Sequence, residues 1–298
     1  MNERLKGHLA LLGANLFYGA GFTVAKTVMP AFIQPRGFIL IRVGVVTLLF
    51  WLSWFLGPSF RTTIEKKDWR ILAACGLFGV ATNQLFFFLG LNLTSPIHAS
   101  LMMLSTPILV SIFAMYMFGD KLSTFKLIGL ILGVSGAMIL ILIGGHEKKA
   151  SNALLGDIFV LLNATSYAIY LVIVKPLMTK YRPIIVIRWV FLIGLLVVFP
   201  FGIQQFMEIQ WQTFKLPQIL SVAFIVICVT FFTYLWNIYA LRVLSPSTAG
   251  AYIYLQPVFA ALIAVFFYHE HLTPAKILAS VLIFAGVYLV SKKKRGKA

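Results

Sequence analysis

Long apolar segments alternate with short polar breaks along the whole chain. A membrane-spanning helix needs about 20 consecutive, mostly apolar residues. Ten segments of this kind are present, at 8–29, 36–56, 69–91, 97–118, 124–144, 155–175, 184–203, 217–241, 247–268 and 274–290. The breaks between them are too short to hold a folded domain outside the membrane. The pattern therefore predicts an all-α integral membrane protein with ten transmembrane helices.

Composition separates this class from soluble and disordered proteins. Of the 298 residues, 60% are hydrophobic and 11% are charged, whereas soluble domains average roughly 45–50% apolar and about 25% charged residues. Disordered chains are poor in apolar residues. Cys75 and Cys228 both lie inside apolar segments, so we expect buried thiols, with neither a disulfide nor a metal site. No cofactor-binding motif is present either.

The formal net charge of +17 would suggest nucleic-acid binding in a soluble chain, but here it indicates membrane topology. With the N-terminus in the cytoplasm, 17 Lys and Arg residues fall on the cytoplasmic side and 6 on the other side. Basic residues favour cytoplasmic loops. We therefore expect a multi-pass protein of the inner membrane with both termini in the cytoplasm, in contact with the lipid bilayer and without a nucleic-acid partner.

The chain matches itself at an offset of 150 residues. Residues 91–140 align with 241–290 without a gap at ten identical positions, which include Pro107/Pro257 and Gly136/Gly286. At an offset of 149, Tyr18 pairs with Tyr167 and Lys26 with Lys175. Each half, 1–145 and 146–298, then holds five predicted spans. Because five is odd, the second half enters the membrane from the opposite side, which predicts two inverted five-helix repeats.

One motif of the repeats carries a family resemblance. Gly119-Asp120-Lys121-Leu122 and His269-Glu270-His271-Leu272 each follow a proline-containing span and precede a span with a glycine, Gly136 or Gly286. This arrangement resembles the EamA-like branch of the drug/metabolite transporter superfamily. It departs from the family pattern at Asp120, where Glu is usual, and at His269, where Gly is usual. The resemblance implies a secondary transporter of small metabolites such as amino acids.

Polar side chains recur at helical spacing inside several spans. Because polar groups are costly in hydrocarbon, they tend to face a protein interior or a wet cavity. These stripes predict a substrate-binding cavity, and the alternative is that each side chain only bonds a neighbouring helix. Thr230 and Ser166 lie within the stripes, and the candidate binding residues are Asn15, Tyr18, Asn83, Gln84, Met102, Ser105, Asn163, Tyr167, Tyr170, Thr233, Tyr234, Asn237, Tyr252 and Gln256.

Prolines and basic residues inside the spans form a second set of candidates. Pro107 and Pro257 occupy equivalent positions and are expected to kink their helices. For the gating or charge-bearing role the candidates are Lys26, Lys175, Arg42, Arg188 and His98. Lys26 and Lys175 could attract anions or simply extend to the lipid headgroups. The eight acidic residues fall in loops, tails or span ends, which favours facilitated diffusion, exchange or proton coupling through His98.

These patterns predict a non-enzymatic transporter that exports or exchanges a small metabolite by alternating access through a central cavity. An exchanger of organic anions or phosphorylated metabolites that uses Lys26 and Lys175 is the first alternative. An integral membrane enzyme that modifies lipids is an alternative of another class. The Gly133-Val134-Ser135-Gly136 segment matches an intramembrane serine protease motif, but its glycines are typical of close helix packing.

Overall fold

The computed structural model describes residues 2–57, 62–93, 102–119, 123–144, 152–268 and 274–291, and all regular structure in these ranges is helical. Apart from short 3₁₀ turns, the helices in these ranges form ten consecutive units: α1 (Glu3–Lys26), α2 (Pro35–Leu52), α3 (69–93), α4 (Ser105–Phe118), α5 (Thr124–Gly144), α6 (153–180), α7 (Pro183–Met207), α8 (Leu216–Val243), α9 (246–268) and α10 (Pro274–Ser291). The predicted all-α class is confirmed.

Five helical segments in the described part are both long enough and apolar enough to cross a membrane. They are Pro35–Phe55, Lys66–Leu91, Leu154–Lys180, Pro183–Met207 and Leu216–Val243. Three shorter apolar helices accompany them, at Ser105–Phe118, Thr124–Ile139 and Ile277–Ser291. The full set of ten crossings stays a prediction.

Helix packing pairs the first five units with the last five. α2 packs along α7 and α5 along α10, while α1 contacts α8 and α9, and α6 contacts α3 and α4. If α1–α5 are exchanged with α6–α10 in order, the first two pairs map onto themselves. The contacts of α1 then map onto those of α6. The helix arrangement thus has the same two-part organisation as the sequence match.

α3 and α8, which are equivalent under that exchange, are both interrupted by a wider π-helical turn. The turn covers Leu77–Ala81 in α3 and Ile225–Phe232 in α8. In each, a threonine hydroxyl donates to the carbonyl five residues earlier, from Thr82 to Leu77 at 2.9 Å and from Thr230 to Ile225 at 2.8 Å. π-Turns leave the regular i−4 ladder and are frequent at functional sites.

α9 changes its helical form just before Pro257. A helix over Pro246–Ala251 leads into a 3₁₀ turn over Tyr252–Tyr254, and an α-helix resumes at Leu255–Tyr268. Proline lacks the amide donor that a continuous helix would use. In α4, a turn at Leu104 likewise lies three residues before Pro107. Both prolines therefore follow an irregular turn at equivalent positions.

Glycines bring α5 and α10 into backbone contact. A Cβ added to Gly136 would lie 2.6 Å from the carbonyl oxygen of Ala279, and one added to Gly286 would lie 2.6 Å from the carbonyl oxygen of Gly129. These two contacts exchange with each other at an offset of 150 residues. Small residues allow helices in a membrane to approach this closely. The glycines identified in the sequence thus have a packing role.

Ion pairs join α3 and α6 at the end of the molecule that carries the N-terminus. Lys180 donates to Asp68 at 2.8 Å and to Glu65 at 3.3 Å, and the Tyr181 hydroxyl donates to Asp68 at 2.8 Å. The hydrogen bond from Lys67, followed by that from Lys180, lowers the pKa of the Glu65 carboxyl. The cluster therefore remains ionised at neutral pH and fixes this end of α3 against α6.

Candidate functional site

A buried arginine lies among polar and aromatic side chains in the middle of the helix bundle. Arg42 on α2 is 7% exposed, and its Nε donates to the Thr230 hydroxyl of α8 at 3.1 Å. Its guanidinium lies over the rings of Phe38 and Phe88, 5.9 and 5.6 Å from their centroids. Aromatic faces attract a cation in this geometry. Phe38 precedes Arg42 by one helical turn, and Phe88 comes from α3.

Two tyrosines, Tyr18 and Tyr234, lie near this arginine, and a third, Tyr167, contacts Tyr18. The side chain of Tyr18 on α1 interacts with Tyr167 on α6 and Thr233 on α8, and it lies close enough to Arg42 to experience its charge. Tyr234 on α8 also lies within the electrostatic range of Arg42. The polar stripes predicted on the first, sixth and eighth spans therefore face one another.

A pair of residues that are 150 positions apart joins α3 to α8. Gln84 Nε2 donates to the Tyr234 hydroxyl at 3.2 Å, and that hydroxyl donates to the Gly79 carbonyl at 3.0 Å. Gly79 belongs to the π-turn of α3. We use the name polar centre for the set Tyr18, Arg42, Gln84, Tyr167, Thr230, Thr233 and Tyr234.

α6 extends the polar centre along α3. The Ser166 hydroxyl donates to the Phe78 carbonyl at 2.7 Å and lies 2.5 Å from the Thr82 hydroxyl, while Asn163 donates to the Asn83 carbonyl at 2.6 Å. Asn83 therefore contributes its backbone to this contact.

Two buried polar atoms on α6 remain without a hydrogen-bond partner among the described residues. They are the Tyr170 hydroxyl and the Asn163 Oδ1. The Tyr170 ring packs against Gly79, where an added Cβ would lie 2.6 Å from Tyr170 Cγ. This contact requires glycine in the π-turn of α3.

α1 and α9 are joined by three of the predicted residues and by one that was not predicted. Gln256 Nε2 donates to Asn15 Oδ1 at 3.0 Å, and Asn15 donates in turn to the Leu11 carbonyl. Nearer the N-terminus, the Tyr252 hydroxyl lies 2.8 Å from His8 Nδ1. Asn15, Gln256 and Tyr252 thus connect helices beside the polar centre.

Other candidates are not brought into inter-helix bonds. Asn237 donates to the Thr233 carbonyl of its own helix, Ser105 donates to the Met102 carbonyl, and Met102 offers this backbone oxygen. His98 and the side chain of Lys26 lie outside the described residues.

Lys175 and Arg188 lie in different surroundings from Arg42. The Lys175 ammonium donates to the carbonyls of Leu241 and of Leu244, the latter at 2.8 Å, at the C-terminus of α8. A cation at this place complements the carbonyl dipoles that end a helix. Arg188 is fully buried, with its guanidinium 4.9 Å from the ring centroids of both Trp51 and Trp54.

An open hollow of about 520 Å³ lies at the end of the molecule opposite the N-terminus. Its lining includes Gln34 and Glu208 from the connections that follow α1 and α7, and Gln205 from the last turn of α7. It contains no member of the polar centre, so we do not assign the site to it.

The family model that matches this sequence describes the EamA-like transporter family. It matches twice, over residues 5–142 and 154–292. The chain belongs to the EamA-like transporter family. It is therefore a multi-pass membrane transporter, as the resemblance implied. The two matched segments are offset by about 150 residues, in agreement with the offset of the internal sequence match.

Curated relatives in this family cover nearly the whole chain. An uncharacterized transporter from Archaeoglobus fulgidus is 23% identical over 97% of this chain and 98% of its own length. The uncharacterized transporter YvbV from Bacillus subtilis is 26% identical, over 100% of this chain and 96% of its own length. A probable terminal-alkyne amino-acid exporter from Streptantibioticus cattleyicolor is 24% identical over 88% of this chain and 85% of its own length.

A crystal structure of a protein with 19% sequence identity has the same fold. It covers 97% of this chain and 98% of its own, with a TM-score of 0.74. The shared fold thus extends over both matched segments.

Sequence reasoning missed several contributors to the polar centre and its surroundings. His8 and Thr82 were not among the candidates, and the aromatic faces of Phe38 and Phe88 were counted only as apolar residues. A usable signal was present for Phe38, because it precedes Arg42 by four residues and so shares its helix face. Phe88 comes from another helix, and no spacing rule relates it to Arg42.

Proposed function

We propose that this EamA-like transporter carries a small metabolite of the amino-acid class, by alternating access, through the polar centre around Arg42. The observation that carries the proposal is the convergence of five helices, α1, α2, α3, α6 and α8, on one buried set of polar side chains. Such a set is costly within a membrane unless it serves a substrate path. The amino-acid class is supported by the Streptantibioticus relative, which is named as a probable amino-acid exporter.

Contacts between the halves support the inverted repeat that alternating access requires. Gln84 and Tyr234 are in contact and are 150 residues apart, as are Leu104 and Tyr254, whose hydroxyl donates to the Leu104 carbonyl at 3.4 Å. A residue can contact its own repeat equivalent only near the axis that relates the two. The polar centre therefore lies where two exchanging halves would expose it to each side of the membrane in turn.

Two alternative functions receive less support. An exchanger of phosphorylated metabolites would use Lys26 and Lys175, but the Lys175 ammonium is bound to the carbonyls that end α8. A lipid-modifying enzyme has no counterpart among the relatives described above, which are named as transporters.

The proposal is tested by transport in proteoliposomes. Purified protein is reconstituted into vesicles loaded with a mixture of the proteinogenic L-amino acids, and efflux is followed by mass spectrometry against vesicles without protein. We expect protein-dependent efflux of a subset of the mixture. Efflux equal to that of the protein-free vesicles would contradict the amino-acid class. Chemical turnover of lipid or solute by protein in detergent would favour the enzyme.

A further inference from the structure

We propose that Arg42 binds the carboxylate of the transported molecule, so that the substrate class is a small monocarboxylate. This inference deepens the proposed function and rests on it. Arg42 places a cation in the interior of the bundle, and the described residues supply no anion to balance it.

No carboxylate among the described residues lies within ion-pair distance of Arg42. The one hydrogen bond that its side chain makes to a described residue runs from Nε to Thr230. The described acids that form ion pairs, Glu3, Glu65 and Asp68, bind lysines near the N-terminal end of the molecule instead. A buried charge without a partner is strongly destabilising, and a substrate anion would supply the missing partner.

The geometry of the site favours a single negative charge. Arg42 is the one cationic side chain, among the described residues, that acts on both Tyr18 and Tyr234. One guanidinium balances the charge of one carboxylate. A phosphate group carries nearly two negative charges and needs a second cation. The Nε contact to Thr230 leaves both terminal amino groups of Arg42 available for a two-pronged bond to carboxylate oxygens.

The neighbouring side chains fit the rest of a small carboxylic acid. Phe38 and Phe88 flank the guanidinium, and Arg42 is buried. A charged hydrogen bond is stronger in such an apolar environment than in water. The hydroxyls of Tyr18 and Tyr234 lie within the field of the same cation. The Tyr18 hydroxyl can donate to an oxyanion held there, in addition to the arginine, and the Tyr234 hydroxyl can do so when it gives up its bond to the Gly79 carbonyl.

Binding in detergent tests this assignment separately from transport. The probes are the proteinogenic L-amino acids, the matching L-amino-acid amides, L-lactate and inorganic phosphate, each added to purified protein while the thermal unfolding midpoint is measured. Ligands that bind the folded state raise this midpoint. We expect one or more carboxylates to raise it, and neither their amides nor phosphate to do so.

Three variants assign the effect to Arg42. In Arg42→Gln, carboxylate affinity should fall on the order of 30-fold or more, as is found when a buried charged hydrogen bond loses one partner. Arg42→Lys keeps the charge but loses the planar fork, so its loss should be smaller. Arg188→Gln is the matched control, because it removes the other buried arginine, which lies between Trp51 and Trp54, and should leave carboxylate binding unchanged.

The outcomes separate this inference from the proposed function. Carboxylate binding that disappears in Arg42→Gln supports the inference even if proteoliposomes show no flux, a result that would overturn transport alone. If flux is seen and Arg42→Gln still prefers acids to amides as the wild type does, the inference is overturned and transport stands. Wild-type protein that binds no carboxylate overturns it as well. If Arg42→Gln does not fold, Arg42→Lys decides by the same criterion.

Discussion

The α5–α10 contact and the polar centre both join residues of the two halves of the chain, and they do so with opposite chemistry. Between α5 and α10, glycines place backbone against backbone, as in the 2.6 Å approach at Gly136. In the polar centre, long side chains such as Gln84 and Tyr234 meet through hydrogen bonds. The first contact consists largely of backbone atoms, which cannot rearrange as side chains do. The second consists of polar groups that can exchange hydrogen-bond partners.

This difference indicates which region is fixed and which can change during transport. Backbone contacts between glycines depend on one close geometry, because a shift of the helices removes the packing on both sides. Hydrogen bonds to hydroxyl and amide groups can be replaced by bonds to a substrate or to water. We therefore expect α5 and α10 to hold the halves together, and changes at the polar centre to act on transport more than on stability.

Gly136→Leu should have the largest effect of these variants, and this effect should be a loss of stability. Its side chain would meet the Ala279 carbonyl and Leu282 Cβ, which belong to a packed helix and cannot move without separating α5 from α10. We expect a loss of about 3 kcal/mol of stability, measured as a large drop in the thermal unfolding midpoint in detergent. Ser135→Leu is the control, because Ser135 is the adjacent residue on the exposed face of α5. Equal midpoints for the two variants would remove the special role of this contact.

Tyr234→Phe, in contrast to Gly136→Leu, should act more on transport than on stability. The change leaves Gly79 without the 3.0 Å hydrogen bond from the tyrosine and Gln84 without its acceptor. We expect a stability loss of about 1 kcal/mol and a decrease in flux of about tenfold, since tenfold corresponds to about 1.4 kcal/mol. Flux is measured per reconstituted molecule.

The control for this variant is Tyr239→Phe on the same helix. Tyr239 donates to Glu3 at 2.9 Å near the exposed end of α8, outside the polar centre. The flux of the Tyr239→Phe variant should remain at the wild-type level. A Tyr234→Phe protein that transports normally but unfolds at a much lower temperature would show that the polar centre stabilises the fold in the way that the glycines do.

The helices and the polar stripes could be predicted because both depend on local spacing. Tyr234 and Asn237 share one face of their helix whatever the tertiary arrangement is. Gly136 and Gly286 are small wherever they pack. The π-turns could not be predicted in this way. Thr82 and Thr230 bond carbonyls five residues earlier, and no composition rule distinguishes these threonines from those that bond four residues earlier.

Contacts with side chains from distant helices could not be predicted from the sequence either. Arg42 and Arg188 occupy similar places in their segments and were predicted to have similar roles. Their surroundings differ because α3 and α8 supply Phe88 and Thr230 to Arg42. Arg188 instead lies against Trp51 in the last turn of α2 and Trp54 in the turn that follows it. Sequence position alone does not determine which helices surround a side chain.

Lys175→Met should have a smaller effect than either variant above, and on stability alone. It removes the ammonium from the carbonyls at the C-terminus of α8, where a cation contributes roughly 0.3–1 kcal/mol. We expect a small fall in the unfolding midpoint and unchanged substrate concentration at half-maximal flux. A higher half-maximal concentration for anionic solutes, with an unchanged midpoint, would instead assign Lys175 to the substrate path. Lys175→Arg, which keeps the charge, serves as the control.

Ser105→Ala should have the smallest effect and marks the boundary of the polar centre. The Ser105 hydroxyl donates to the Met102 carbonyl at 2.6 Å within the same stretch of chain, so its removal leaves no other helix without a partner. We expect a change in stability of less than about 0.5 kcal/mol and flux at the wild-type level. A clear loss of flux with an unchanged unfolding midpoint would extend the polar centre to α4. The functional region would then include the irregular turn before Pro107, and transport could not be assigned to α1, α2, α3, α6 and α8 alone.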